Sequence, residues 1–232
     1  IGCYPCGYQS PTGTFEKIRF NEYGELMQLT SGLDILNLDL TNRQIDALNM
    51  ILVEHMKWNQ VFNLSAHRTE HDVVVYQILD SLSVYPFIST GTLLDIGTGP
   101  GFPGLPLAMI FPETQITLLD SNDKKLSFAR HIKALCHLDN VEIVHQRIED
   151  VWDDQRFDQI ISRAFTHLNG MIDCSLRLLS PKGRLLAMKG AQAESEVADA
   201  LMTYSNCHIS VHQLPHVVEE QRKVALVKQG LE

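Results

Sequence analysis

The residues best placed to do chemistry in this chain lie between Leu93 and Asp120. Gly97, Gly99, Gly101 and Gly104 follow the apolar run Leu93-Leu-Asp-Ile96, a spacing that lets the backbone turn sharply after a strand and lie against a ligand where side chains would collide. Loops of this kind hold dinucleotide or adenosyl cofactors, and some only pack a helix on a sheet. Two neighbouring features narrow the choice. The Asp95 carboxylate repels a pyrophosphate but attracts an ammonium or a sulfonium, and on loss of the sulfonium charge that attraction weakens. Pro103 and Pro106 fall in the first turn of the expected helix and remove amide donors that a phosphate at a helix N-terminus needs. Asp120 ends the run Ile116-Thr-Leu-Leu-Asp120, where an acidic residue hydrogen-bonds a ribose diol in doubly wound nucleotide folds; capping the next helix is its other expected role. Gly97, Gly99, Gly101 and Asp120 together predict a site for S-adenosylmethionine.

Ligands of doubly wound sheets lie beyond the carboxyl ends of the strands, so the residues just after each strand are the ones to inspect. In His145-Gln-Arg-Ile-Glu-Asp150, Ile148 is suited to pack on an adenine face and Glu149 to read its edge, unless the segment is an ordinary loop. In Ser162-Arg-Ala-Phe165 there is neither the Asn/Asp-Pro-Pro-aromatic tetrad used on exocyclic amines nor a nucleophilic cysteine after a proline. Arg163 offers a forked cation and Phe165 a flat ring. That pair suits an acceptor that already owns a lone pair, such as guanine N7, which needs alignment with the methyl group more than a general base. An ion pair of Arg163 with Asp120 or Asp158 is the structural alternative. Lys182, Arg184, Lys189, Arg222 and Lys223 meet phosphates if they share one rim, and are ordinary solvated charges if scattered.

The elements that must position these groups alternate. Strands are expected near 93–96, 116–120, 141–145, 157–162, 184–189, 207–213 and 223–228, and helices near 103–111, 122–137, 168–179 and 191–204. The expected fold is therefore α/β, a class I methyltransferase with a Rossmann-like, seven-stranded, mostly parallel sheet whose last strand is antiparallel. Ahead of it, Thr41 and Gln44 form a capping box, Ile45, Leu48, Leu52 and Met56 share a helical face, and a second helical run spans about 72–85. Between these helices, Lys57 to Arg68 mixes aromatic, amide and basic groups as a ligand-facing loop does, or simply ends a helix with Trp58 and Phe62 buried. The expected division is a leader at 1–26, read as outside the functional protein with Met27 as the start, a helical cap at 27–88 and the transfer domain at 89–232.

A chain of 232 residues with net charge -9 has room for one such domain and an appendage, and does not coat nucleic acid by charge alone, though a local basic face stays open to it. No apolar run is long enough for a membrane span, and no signal peptide is visible. Cys3, Cys6, Cys136, Cys174 and Cys207 read as reduced thiols of a cytoplasmic protein, with no second pair to complete a zinc site. His208, His212 and His216 recur every fourth residue, yet Ile209, Val211, Leu214 and Pro215 around them predict a strand with solvent-facing histidines.

Lys57-Trp-Asn with Asn63-Leu64, Ile78-Leu-Asp-Ser-Leu82, the stretch from Asp95 to Gly104, Leu118-Leu-Asp-Ser121, Ile161 to Phe165, Lys189-Gly190 and Arg222 together resemble the small-subunit ribosomal RNA methyltransferase G family, also called glucose-inhibited division protein B. The likeness covers about residues 33–228. It implies a cytoplasmic bacterial enzyme, expected to act as a monomer without metal, that methylates N7 of one guanine in 16S rRNA. By the family pattern the cofactor positions fall on Gly97, Phe102, Ile148, Glu149 and Arg163. From the residues themselves, Arg163 is expected to be catalytic and Arg68, Lys189, Arg222 and Lys223 to contact RNA. Two positions depart: Gln77 stands where members often have His, and His67 occupies an otherwise apolar place. The rivals are a nicotinamide-linked oxidoreductase using Gly99, Gly101 and Gly104, a non-catalytic RNA-binding assembly factor, and a methyltransferase for small molecules.

Overall fold

A computed structural model describes residues 29–151, 154–163, 166–218 and 222–230 of the protein. Cys3, Cys6, Met27 with the expected leader, and Phe165 lie outside the described residues.

The capping box at Thr41 forms: Thr41 Oγ1 accepts from Gln44 N, and Gln44 Oε1 accepts from Thr41 N at 3.0 Å. It opens helix α2 (Asn42–Phe62), which ends where Asn63 turns left-handed at φ 48°. A shorter helix, α1 (Leu29–Ile35), precedes it. The second helical run is one rod of three parts, α3 (Glu70–Asp72), a π-helical segment (Val73–Leu79) and α4 (Asp80–Leu82). Three successive β-branched residues, Val73 to Val75, crowd a tight α-turn, and a π segment of this kind recurs at functional sites.

The rest is a seven-stranded sheet in the order β3-β2-β1-β4-β5-β7-β6. The strands are β1 (Gly91–Ile96), β2 (Thr114–Asp120), β3 (Val141–His145), β4 (Phe157–Arg163), β5 (Leu179–Lys189), β6 (Cys207–Gln213) and β7 (Lys223–Gln229). Every pairing from β3 to β5 is parallel, and β7 runs antiparallel to both β5 and β6. Connecting helices are α5 (Gly104–Ile110), α6 (Asp123–Cys136), α7 (Leu168–Ser175) and α8 (Ala193–Thr203). Alternate residues of β1 feed opposite cores: Leu93 packs with the N-terminal helices, α5 and α6, and Leu94 and Ile96 with α7 and α8. The strand order reverses between β1 and β4, which opens a crevice at their carboxyl ends.

His208 is exposed on β6, and His212 is half-buried against Phe87 at 5.2 Å between ring centroids. Among the described residues no group of three or more His, Cys, Asp or Glu is arranged to hold a metal, and no helix is long and apolar enough to cross a membrane.

Candidate functional site: a glycine loop between two clefts

The loop glycines divide by role. A Cβ on Gly101, at φ +108°, would lie 2.3 Å from Leu105 Cδ1, and one on Gly104 would lie 2.1 Å from Leu118 Cδ2. These two let α5 approach the sheet. A Cβ on Gly99 would meet only Lys125 Cδ, at 3.8 Å, so its space is open to a ligand. The first turn of α5 has no amide to offer a phosphate: Gly104 N donates to Asp95 Oδ2 at 2.8 Å, Leu105 N to Gly101 O at 2.7 Å, and position 106 is proline. This removes the pyrophosphate contact that the oxidoreductase rival requires.

Asp95 corrects an expectation. Its carboxyl is fully buried beneath the loop, with Oδ2 accepting from Thr98 Oγ1 at 2.6 Å and from Gly104 N, so it braces the turn and does not face a sulfonium as an open charge. Oδ1 has no hydrogen-bond partner. Desolvation pushes its pKa up to about 7, outweighing the two hydrogen bonds that pull it down. The folded protein therefore holds this proton more tightly than the unfolded chain, whose ordinary value is 3.8. The stability tied to Asp95 is complete below that value and is lost as pH rises toward about 7. Between these limits urea unfolding of the native protein should lose stability relative to Asp95→Asn by on the order of 1 kcal/mol per pH unit. Parallel pH profiles for the two proteins would show that another group titrates.

A cleft of about 280 Å³ beside the loop brings together Gly97, Asp120, Ile148 and Glu149. Asp120 Oδ2 accepts from Gly99 N and Oδ1 from Asn122 N, both at 2.7 Å, and each oxygen keeps a lone pair for a ribose hydroxyl. The helix cap itself is Asn122, whose side chain accepts from Lys125 N. Ile148 is held in place by Arg177, whose Nη2 donates to Ile148 O at 2.6 Å and Nη1 to Val151 O at 3.1 Å, an anchor that no local pattern announces. Open space at Gly99, a diol acceptor at Asp120 and an apolar surface at Ile148 fit the adenosine part of the expected cofactor.

At the carboxyl ends of β4 and β5 lies a larger cavity of about 600 Å³ lined by His67, Tyr76, Gln77, Arg163, Lys189 and Arg222, among others. The Arg163 guanidinium carbon sits 5.9 Å from the Phe102 ring centroid, within cation–π range. Phe102 is backed by the buried His55 ring at 5.9 Å, which desolvation keeps neutral by pulling its pKa down to about 4. The ion pair of Arg163 is neither of those anticipated. Asp120 serves the loop, Asp158 accepts from Thr92 N and Oγ1 at 3.0 Å, and Arg163 binds Asp80 Oδ2 at 3.0 Å. Arg163 Nη1 also donates to Tyr76 O at 2.7 Å and Nη2 to Gln77 Oε1 at 2.5 Å. The π segment makes this possible, since the Asp80 amide bonds to Val75 O and Gln77 O and passes over Tyr76 O. Asp80 is 1 % exposed, and its Oδ1 lies 3.2 Å from Arg222 Nε without a well-aligned hydrogen bond, so one buried carboxylate joins two arginines.

The continuous basic rim does not form. Arg184 pairs in register with Gln159 near the start of β4 and donates to Phe87 O at 2.8 Å, and at about 3.3 Å per residue it lies about 16 Å along β5 from Lys189. Lys182, two residues earlier, is exposed at that same end. Lys189 is 8 % exposed, 2.9 Å from Glu196 Oε2, and donates to Thr166 O; Lys223 pairs with Glu194. Arg68 closes the end of α2 through Asn59 O at 3.0 Å and Asn63 Oδ1 at 2.9 Å. Only Arg163, Lys189 and Arg222 of the expected cations line the cavity, and its walls include Gln77 and the stacked His67–Tyr76 pair, which the sequence marked merely as departures or as helix.

Comparison with known proteins agrees with this geometry. A methyltransferase described as SAM dependent, from Aquifex aeolicus, superposes with a TM-score of 0.55 at 17 % identity, covering 67 % of this chain and 92 % of that one, and so shares the fold. A ribosomal RNA small subunit methyltransferase G from Marinobacter nauticus is 47 % identical over 171 residues, 74 % of this chain and 80 % of that protein. Another of the same description, from Escherichia coli, is 36 % identical over 203 residues, 88 % and 98 % of the two chains. The family model for rRNA small subunit methyltransferase G matches residues 44–225, and the chain belongs to that family.

Proposed function

We propose that this chain methylates N7 of a guanine in 16S rRNA, using S-adenosylmethionine. Family membership carries the class of enzyme, a methyltransferase dependent on S-adenosylmethionine. The observation that carries the division of labour is the pair of clefts at the carboxyl ends of the central strands, one beside Gly97 and Asp120 and one beside Arg163 and Lys189. Bound beside the loop, the cofactor supplies an electrophilic methyl group. Gly97, Gly99, Asp120, Ile148 and Glu149 hold its adenosine, Gly101 shapes the loop, and the buried Phe102 ring supports the Arg163 guanidinium. Arg163 orients the acceptor nucleotide, while Arg222 and Lys189 line the same cavity. No side chain in the acceptor cavity is needed as a base, because N7 already carries the lone pair that attacks. Arg68, on the surface, and the half-buried Lys223 contact the RNA backbone at the expense of their present partners.

Residues 27–88 act as a cap that shapes the acceptor cavity, and 89–232 perform the transfer. A ribosomal RNA substrate supports a cytoplasmic location, and the chain acts as a monomer. Incubation with labelled cofactor and undermethylated small-subunit RNA or particles, followed by mapping of the modified base, should place the label on one guanine at N7. Label on an exocyclic amine, or none at all with folded protein that binds the cofactor, would overturn this function.

A further inference from the structure

We propose that Gln77 is a specificity-determining residue of the acceptor cavity, admitting guanine and rejecting adenine by donating a hydrogen bond from its Nε2 to O6 of the base. This rests on the guanine acceptor proposed above and deepens it.

Gln77 lies in the middle of the π segment, is 6 % exposed, and lines the cavity with Tyr76 and Arg163. Arginine carries donors only, so the amide atom facing Arg163 Nη2 at 2.5 Å has to be the oxygen. The guanidinium is itself fixed by Asp80 and Tyr76 O, so the Gln77 amide cannot turn over without breaking a charge-assisted hydrogen bond. Nε2 is thereby presented as a donor of set direction. Among the described residues no protein group accepts from it. Nε2 is not one of the buried polar atoms left without a partner, so it is open to the cavity and to an acceptor on a ligand there.

The edge of guanine that carries N7 also carries O6, and both are acceptors; adenine carries an amino donor in place of O6. Gln77 Nε2 bound to O6 leaves the N7 lone pair free for the methyl group. Facing adenine, the same Nε2 would meet another N–H. The His67 and Tyr76 rings, stacked at 5.1 Å and 13°, add a flat wall to the same cavity on which a base can lie.

The test is kcat/KM on small-subunit RNA in which the target guanine is replaced by inosine, which keeps O6 and N7, or by 2-aminopurine, which keeps N7 and loses O6. The native protein should use inosine within about threefold of guanine and 2-aminopurine about 100-fold less well. Gln77→Glu keeps an acceptor for Arg163 and removes the donors, and Gln77→Met removes both. In either variant the gap between guanine and 2-aminopurine should shrink to within about threefold, through loss of the guanine rate, while calorimetry shows cofactor affinity within about twofold of native. Equal native rates on guanine and 2-aminopurine overturn the proposal without any variant, and so does a gap of about 100-fold that survives in Gln77→Glu. Native protein that methylates no guanine overturns the acceptor assignment itself, and this inference with it.

Discussion

Arg163→Ala is expected to lower methyl transfer by about 100-fold or more and to destabilise the fold by about 3–5 kcal/mol at the same time. The second effect follows from Asp80, 1 % exposed, which would keep only one of its two arginine partners. Tyr76 O and Gln77 Oε1 would also lose their donor. Arg163→Lys separates the two effects. It keeps the charge and a contact with Asp80 but cannot reach three acceptors with one ammonium, so it should recover most of the stability and little of the turnover. Denaturant unfolding and single-turnover rates at saturating cofactor measure the two separately. Native turnover in Arg163→Lys would show that charge alone is enough, and full activity in Arg163→Ala would remove this residue from the reaction.

The glycine loop should give the other large effect, and it should split by position. Gly101→Ala forces a side chain into φ +108° and places Cβ 2.3 Å from Leu105 Cδ1, so α5 must shift. A cost of about 3 kcal/mol or more is expected, seen as a lowered melting temperature. Gly99→Ala sits at φ +59°, in the left-handed well, with only Lys125 Cδ near, at 3.8 Å. Its stability cost should be about 1 kcal/mol, yet its cofactor affinity should fall about tenfold or more because the methyl group occupies the ligand's space. Calorimetric titration alongside thermal melts separates the two. Equal losses in both measurements for both variants would show that the two glycines share one role.

Where the chain reports on itself locally, it is legible. Thr41 and Gln44 announce α2, and the runs before Gly97 and before Ser121 become β1 and β2 at the expected places, because period, capping and turn chemistry act over a few residues. Where local signals are weak or mixed, boundaries move. β5 begins at Leu179, not near 184, because Ser180-Pro-Lys-Gly183 breaks an apolar pattern that the sheet tolerates beside the irregular register at Phe157 and Gln159. The seven residues of α1 carry no acidic first turn or basic last turn to mark them. The π segment looks like any apolar helical stripe, since the stripe is compatible with either hydrogen-bond ladder.

From its sequence alone this protein is committed to a parallel sheet with a glycine loop, an acidic residue one strand further on, and a loop unsuited to phosphate. Those properties depend on residue type and short spacing. The partner of each charge was decided by the tertiary structure. Asp95 turned under the loop, Arg163 found Asp80 on a segment 83 residues earlier, Lys189 was neutralised by Glu196, and Arg184 was carried to the far end of its strand. Pairings between residues distant in sequence depend on how the N-terminal helices and the sheet pack against each other, and no local pattern encodes that distance.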